Sequence, residues 1–178
     1  MAVIKLVGPQ FPIDIQLKIG GSKSISNRAL LIRALCGRYF DIINLSDSDD
    51  TQTMIKLLSA PAEILDVHHA GTTFRFLTAY FALKKGEQIL TGSDRMKQRP
   101  VGPLVEVLNT LGADIRYLNK KGFPPLEIRA FKGQKTDEVT MRSDVSSQFI
   151  SALCMIAPTL KKGLRINLEG ELVSKPYL

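Results

Sequence analysis

The feature that most constrains this chain is an order of events that recurs along it. From Ser24 the residues read as a helix, "SISNRALLIRALCG", a strand, "YFDIINL", a polar turn, "SDSDD", and a second helix, "TQTMIKLLS". From Thr72 the same order returns as "TTFRFLTAYFALKKG", the strand "EQILTG", the polar turn "SDRMKQRP" and the helix "VGPLVEVLNTLGA". The strands "DIRYL" and "PPLEIRA" follow as a hairpin around Lys120-Lys121-Gly122, and a third pass runs "SSQFISALCMIAPTLKKG", strand "LRINLEG", polar turn "ELVSKPY". Each pass opens with small or hydroxyl residues at a helix start and closes that helix near a glycine, Gly37, Gly86 or Gly163. Two of these helices end in the same Lys-Lys-Gly. Such repetition predicts an α/β (α+β) fold of repeated units, at about residues 20–66, 67–130 and 137–178, whose helix starts converge on one surface if the units share an axis.

Composition bounds the function classes. At 178 residues, 44% hydrophobic and 23% charged, the chain is sized for one core-bearing domain. A net charge of +7 points to an anionic partner, but the basic residues form no run, aromatics are 7% and Trp is absent, so nucleic acid is not indicated. No apolar stretch approaches the roughly 18 residues of a membrane span, and no charged leader precedes an apolar run, which predicts a cytoplasmic protein away from membranes. Cys36 and Cys154 each lie in an apolar helical pattern and read as small buried hydrophobes in a reducing compartment. Without Cys/His spacing for zinc, neither metal nor cofactor is expected.

The charged residues gather at helix starts. Gly21-Ser22-Lys23-Ser24 runs into Arg28, and a helix start adds unpaired N–H groups and the positive end of the helix dipole. Lys23, Arg28 and the hydroxyls of Ser22, Ser24 and Ser26 together suit a dianion such as a phosphate ester. A serine N-cap followed by a solvated basic face explains the stretch equally well. Taken alone, Gly71-Thr72 reads as an ordinary helix start, Ser146 or Asp144 as an N-cap, and Arg95 and Lys97 as structural or solvated side chains.

Taken together and in order, these loops resemble one family, the 5-enolpyruvylshikimate-3-phosphate synthases. The matching signatures are "GSKSISNR", "AGTTFR", "TGSDRMKQRP", "VSSQF" and "LVSKPY". The resemblance implies βαβαββ-type units forming one domain of an inside-out α/β barrel fold. It also implies a transferase that moves the enolpyruvyl (carboxyvinyl) group of phosphoenolpyruvate to the 5-hydroxyl of shikimate 3-phosphate, releasing phosphate, on the route to chorismate and the aromatic amino acids. By motif position, Lys23, Ser24, Arg28, Ser146, Ser147, Gln148, Ser174 and Tyr177 would hold shikimate 3-phosphate. Lys23, Gly71, Thr72, Arg99 and Gln148 would hold phosphoenolpyruvate. Two multiply charged anions side by side call for a concentrated positive field.

The chain departs from that pattern in several places. Gly20 replaces a proline before Gly-Ser-Lys-Ser, His69 stands where asparagine usually precedes Ala-Gly-Thr, and Phe76 follows Arg75 where many members carry proline. The stretch between "TMIKLL" and "VHHAGT" is short, so a strand pair is expected to be missing or reduced. Family members are more than twice as long, and the residues credited with proton transfer lie in a second domain, so 1–178 reads as a single truncated shikimate-3-phosphate-binding domain that binds without catalysing. Two alternatives stand beside this reading. One is a non-catalytic anion-binding half-domain, and the other is the related transferase acting on UDP-N-acetylglucosamine, which usually carries a cysteine where this chain reads "GSDRMKQRP".

Overall fold

The computed structural model of the chain describes residues 3–5, 7–59 and 62–171. Helices α1 (Lys23–Cys36) and α2 (Asp49–Ser59) come first, then strand β1 (Ile64–Asp66), helix α3 (Gly71–Phe81) and strand β2 (Gln88–Thr91). A short α4 (Asp94–Lys97) leads into α5 (Gly102–Leu111) and the strands β3 (Asp114–Tyr117), β4 (Leu126–Arg129) and β5 (Glu138–Arg142). Helix α6 (Ser147–Ile156), a 3-10 turn (Ala157–Thr159) and β6 (Arg165–Glu169) complete the described elements.

Two sheets result. The four-stranded sheet has the order β1-β2-β4-β3, with β1 and β2 parallel and β4 antiparallel to both β2 and β3. The second pairs β5 with β6 in parallel. Parallel neighbours need a crossover, which α3 supplies for β1 and β2 and α6 for β5 and β6. The stretch from Ile64 to Arg129 is therefore β-α-β, then α4 and α5, then a β-β hairpin.

Helix α3 is apolar almost all round, and such a helix has to be buried. Phe74, Phe76, Leu77, Ala79 and Phe81 all lie in the core, against α1, α2, α5, α6 and β2. Phe76 is fully buried at the site of the usual proline, with the Arg28 guanidinium 5.7 Å from its ring centre. Polar links sit inside the same packing: the Thr51 hydroxyl donates to Oδ1 of Asn27 at 2.8 Å, and both residues are fully buried.

The structure corrects several expectations. Residues 39–45 form no strand: no described strand lies alongside to accept their backbone bonds, and Tyr39 and Ile43 are exposed at 81% and 91%. Cys36 and Cys154 are exposed rather than buried. Helix α6 buries Phe149, Ile150, Leu153 and Ile156, so Cys154 falls on the opposite face, where it shares an open groove with Ile32, Leu35 and Cys36 of α1. The turn "SDRMKQRP" contains α4, and the shortened stretch before His68 keeps one three-residue strand, β1. Among the described residues, no helix is long and apolar enough to cross a membrane.

Candidate functional site

The starts of α1, α3 and α6 are joined by side chains. Helix α1 is capped by Ser22, whose Oγ accepts from the Ile25 N–H at 3.4 Å. One residue on, Lys23 Nζ lies 3.7 Å from Oδ1 of Asp50, at the start of α2. The Asp50 carbonyl in turn accepts from the Thr73 hydroxyl of α3 at 2.9 Å. Helix α6 is capped by Ser146, whose Oγ accepts from the Gln148 N–H at 3.4 Å. Gln148 crosses to α3, where its Nε2 donates to the Thr72 hydroxyl at 3.1 Å and its Oε1 accepts from Nη1 of Arg75 at 2.6 Å.

Arg75 is the buried charge of this junction. It is 7% exposed, its guanidinium lies 5.3 Å from the Phe149 ring centre, and its Nε has no hydrogen-bond partner among the described residues. Burial, and secondarily the neighbouring charge of Arg99, lower its pKa from the ordinary arginine range to about 10.

Helix α3 begins at Gly71 with no side-chain cap. The Arg99 guanidinium occupies the space a side chain there would need, since a Cβ at Gly71 would lie 1.7 Å from its Nη1. An uncapped helix start beside a guanidinium is an arrangement that attracts carboxylate and phosphate groups. Arg99 also lines a cavity of about 370 Å³ with His69, Arg95 and Met96.

Five sequence candidates thus share one surface: Lys23, Gly71, Thr72, Arg99 and Gln148. Ser147 lies half-buried at the start of α6 beside them. Arg28 is turned toward the protein, donating to the Ser24 carbonyl at 3.1 Å and to the Ser151 hydroxyl at 3.5 Å. Ser24 contributes that carbonyl and leaves its side chain exposed. Ser26 is not part of a ligand-facing hydroxyl cluster: it is 3% exposed and its Oγ accepts from the Ser46 N–H at 2.9 Å. Ser22 is occupied as a cap, and Asp144 pairs with Arg142 at 2.9 Å instead of capping α6. Ser174 and Tyr177 lie outside the described residues. Lys97 pairs with Asp94 at 3.3 Å, whereas Arg95, expected to be structural or solvated, lines the Arg99 cavity.

Two residues carry more of the geometry than sequence reasoning gave them. Arg75 lies one helical turn from Gly71 between two phenylalanines, a signal that it is buried rather than solvated. Asp50 reads as a first-turn acid of α2, and only the approach of α1 and α3 makes it a bridge.

The comparisons with known proteins agree with one another. The family described as EPSP synthase (3-phosphoshikimate 1-carboxyvinyltransferase) matches residues 7–60 and 56–178. A 3-phosphoshikimate 1-carboxyvinyltransferase of Bacteroides fragilis (strain YCH46) is 49% identical over 166 residues, covering 93% of this chain and 40% of the relative. One of Shewanella loihica is 43% identical over 188 residues, covering 91% of this chain and 44% of the relative. The chain therefore spans about two fifths of the length of these curated relatives. An EPSP synthase structure from Acinetobacter baumannii superposes with a TM-score of 0.68 at 19% identity, over 79% of this chain and 37% of that one, a likeness of fold. With an α/β architecture of that fold and a family match extending over nearly all its length, the chain belongs to the EPSP synthase (3-phosphoshikimate 1-carboxyvinyltransferase) family.

Proposed function

We propose that the surface joining the starts of α1, α3 and α6 is one half of the site of an enolpyruvyl transferase, taking phosphoenolpyruvate and shikimate 3-phosphate. The observation that carries this reading is the uncapped start of α3, flanked by Arg99 and linked through Asp50 to Lys23 and through Thr72 to Gln148. Gly71, Thr72 and Arg99 receive phosphoenolpyruvate, and Ser24, Arg28, Ser146, Ser147 and Gln148 receive shikimate 3-phosphate, with Ser174 and Tyr177 on the same substrate. Lys23 lies between the two anions and offsets their repulsion. Arg28 reaches its phosphate by exchanging the long contact to Ser151.

Transfer to the 5-hydroxyl needs an acid for the methylene carbon, a base for the hydroxyl, and exclusion of water by closure of a second wall. The family resemblance puts those groups in the part of the relatives that these 178 residues do not match, so the role proposed for the surface described here is binding. The exposed alternation of Ile13, Ile15, Leu17 and Ile19, at 63% to 82%, supports further protein packing there, as alternating apolar residues are the pattern of a half-buried strand. The run from Ile64 to Arg129 supports the finer architecture, one βαβαββ-type unit among those of an inside-out α/β barrel domain. A cytoplasmic location completes this reading.

Calorimetric titration of the 178-residue chain with each substrate, together with a phosphate-release assay, tests it. Binding of shikimate 3-phosphate is expected to be weak and salt-dependent, with no phosphate released above background. Turnover by this chain alone would overturn the division of labour, and absence of binding by both substrates would overturn their assignment.

A further inference from the structure

Resting on this reading, we infer that His69 is a direct and protonation-sensitive contact to the anion held by Arg99, a part that the asparagine usual at this position cannot play. His69 lines the same cavity as Arg95 and Arg99, and backbone hydrogen bonds hold its loop. The Val67 N–H donates to the Thr91 carbonyl at 3.0 Å and the Ser93 N–H to the His68 carbonyl at 2.9 Å. The two loops can approach this closely because Gly92 has no side chain: a Cβ there would lie 2.8 Å from the His68 carbonyl oxygen.

The ring is then oriented by one side chain. Ser93 Oγ lies 2.7 Å from Nδ1 of His69 and also accepts from the Met96 N–H at 3.3 Å. A hydroxyl has one proton and two lone pairs, so Ser93 satisfies Nδ1 in either state of the ring. It donates to Nδ1 of the neutral tautomer that carries its hydrogen on Nε2, and it accepts from Nδ1–H of the other neutral tautomer and of the imidazolium. In the imidazolium Nε2 carries a hydrogen whichever tautomer preceded it, and is a donor. The second proton adds a full positive charge to a cavity that already holds two guanidinium groups. Of the carboxylates nearby, Asp94 lies 3.3 Å from Lys97 of α4, and Asp66 Oδ1 accepts from the His68 N–H at 2.7 Å and lies 3.7 Å from His68 Nδ1, an ion pair only when that ring is protonated. Both carboxylates thus have partners in their own segments, while Arg95 and Arg99 line the cavity.

Sulfate is the appropriate probe, because it stays a dianion where phosphate esters titrate. Its affinity for the 178-residue chain should be measured by amide and imidazole shifts at about pH 8 and about pH 5.5, the range over which histidine changes charge. An added unit charge in contact with a dianion should strengthen binding by about tenfold or more on acidification, even at the dielectric constant of water. His69→Asn should lose the gain in affinity on going from the higher pH to the lower. His68→Asn should keep it. Arg99→Ala should bind sulfate poorly at both. Parent affinity that does not change with pH, while Arg99→Ala still abolishes binding, would overturn the role of His69 and leave the substrate reading intact. A pH gain that follows His68 instead would overturn it too. Sulfate binding that is insensitive to Arg99→Ala would remove the cavity itself as an anion site, and both readings with it.

Discussion

Nη1 of Arg75 on α3 donates to Oε1 of Gln148 on α6 over 2.6 Å, joining two residues 73 positions apart in the chain. Since the other end of the Gln148 amide donates to Thr72 at 3.1 Å, the side chain is held at both ends and its orientation is fixed by the protein. A buried charge thereby sets the position of a half-buried amide at the meeting point of two helix starts.

Replacing that charge should reveal two opposing terms. Arg75→Met strands the Gln148 oxygen, at about 1–3 kcal/mol, but relieves the burial of a guanidinium, so net stability near neutral pH should change by less than about 1 kcal/mol. The folded-state pKa of about 10 lies below that of the unfolded group, so the charged form burdens the fold at neutral pH. Between those values the unfolded chain holds the proton more than the folded one, and stability rises with pH. Urea midpoints of parent and variant should therefore diverge in favour of the parent from about pH 8 to about pH 11. Parallel curves would show that Arg75 does not titrate early.

Gly71→Ala should separate binding from stability. The new methyl would meet Nη1 of Arg99 at 1.7 Å, and the far end of a flexible side chain can move aside. The melting temperature should shift by less than a few degrees, whereas affinity for phosphoenolpyruvate should fall by about tenfold or more as the guanidinium leaves the helix start. Calorimetry on both proteins checks this.

Gly21→Ala should behave in the opposite way. Its Cβ would lie 1.9 Å from the Asn44 carbonyl oxygen, a backbone atom that cannot swing away. The loop leading to Lys23 must then separate from residues 44–45, with an expected loss of about 1–3 kcal/mol in urea denaturation. An unchanged midpoint would mean that these segments do not approach in solution as closely as described.

Arg99→Lys tests the fork rather than the charge. Lysine preserves the positive field but cannot make two parallel bonds to a carboxylate or phosphate. Phosphoenolpyruvate affinity should drop by about tenfold while shikimate 3-phosphate affinity stays within about twofold. An equal loss for both would assign Arg99 to holding the loop.

Local features of this chain are legible in the sequence because their physics is local. Ser22 and Ser146 cap the helices that follow them, and the 3.6-residue period identifies α1, α3, α5 and α6, since a cap or an apolar stripe depends only on residues a few positions apart. What the tertiary structure alone decides is everything that needs a partner far along the chain. Residues 39–45 have strand-like side chains but, among the described residues, no strand beside them to take their hydrogen bonds. Cys36 and Cys154 follow an apolar pattern, yet their exposure depends on which face of α1 and α6 the other elements cover. Asp50 becomes a bridge, Ser26 a structural anchor, and His69 a neighbour of Arg99 only when loops distant in sequence are brought together. The family's motifs mark which residues gather at the helix starts. Packing around α3 determines which of them touch, because a side chain's type is written at its position while its neighbours are set by the whole fold.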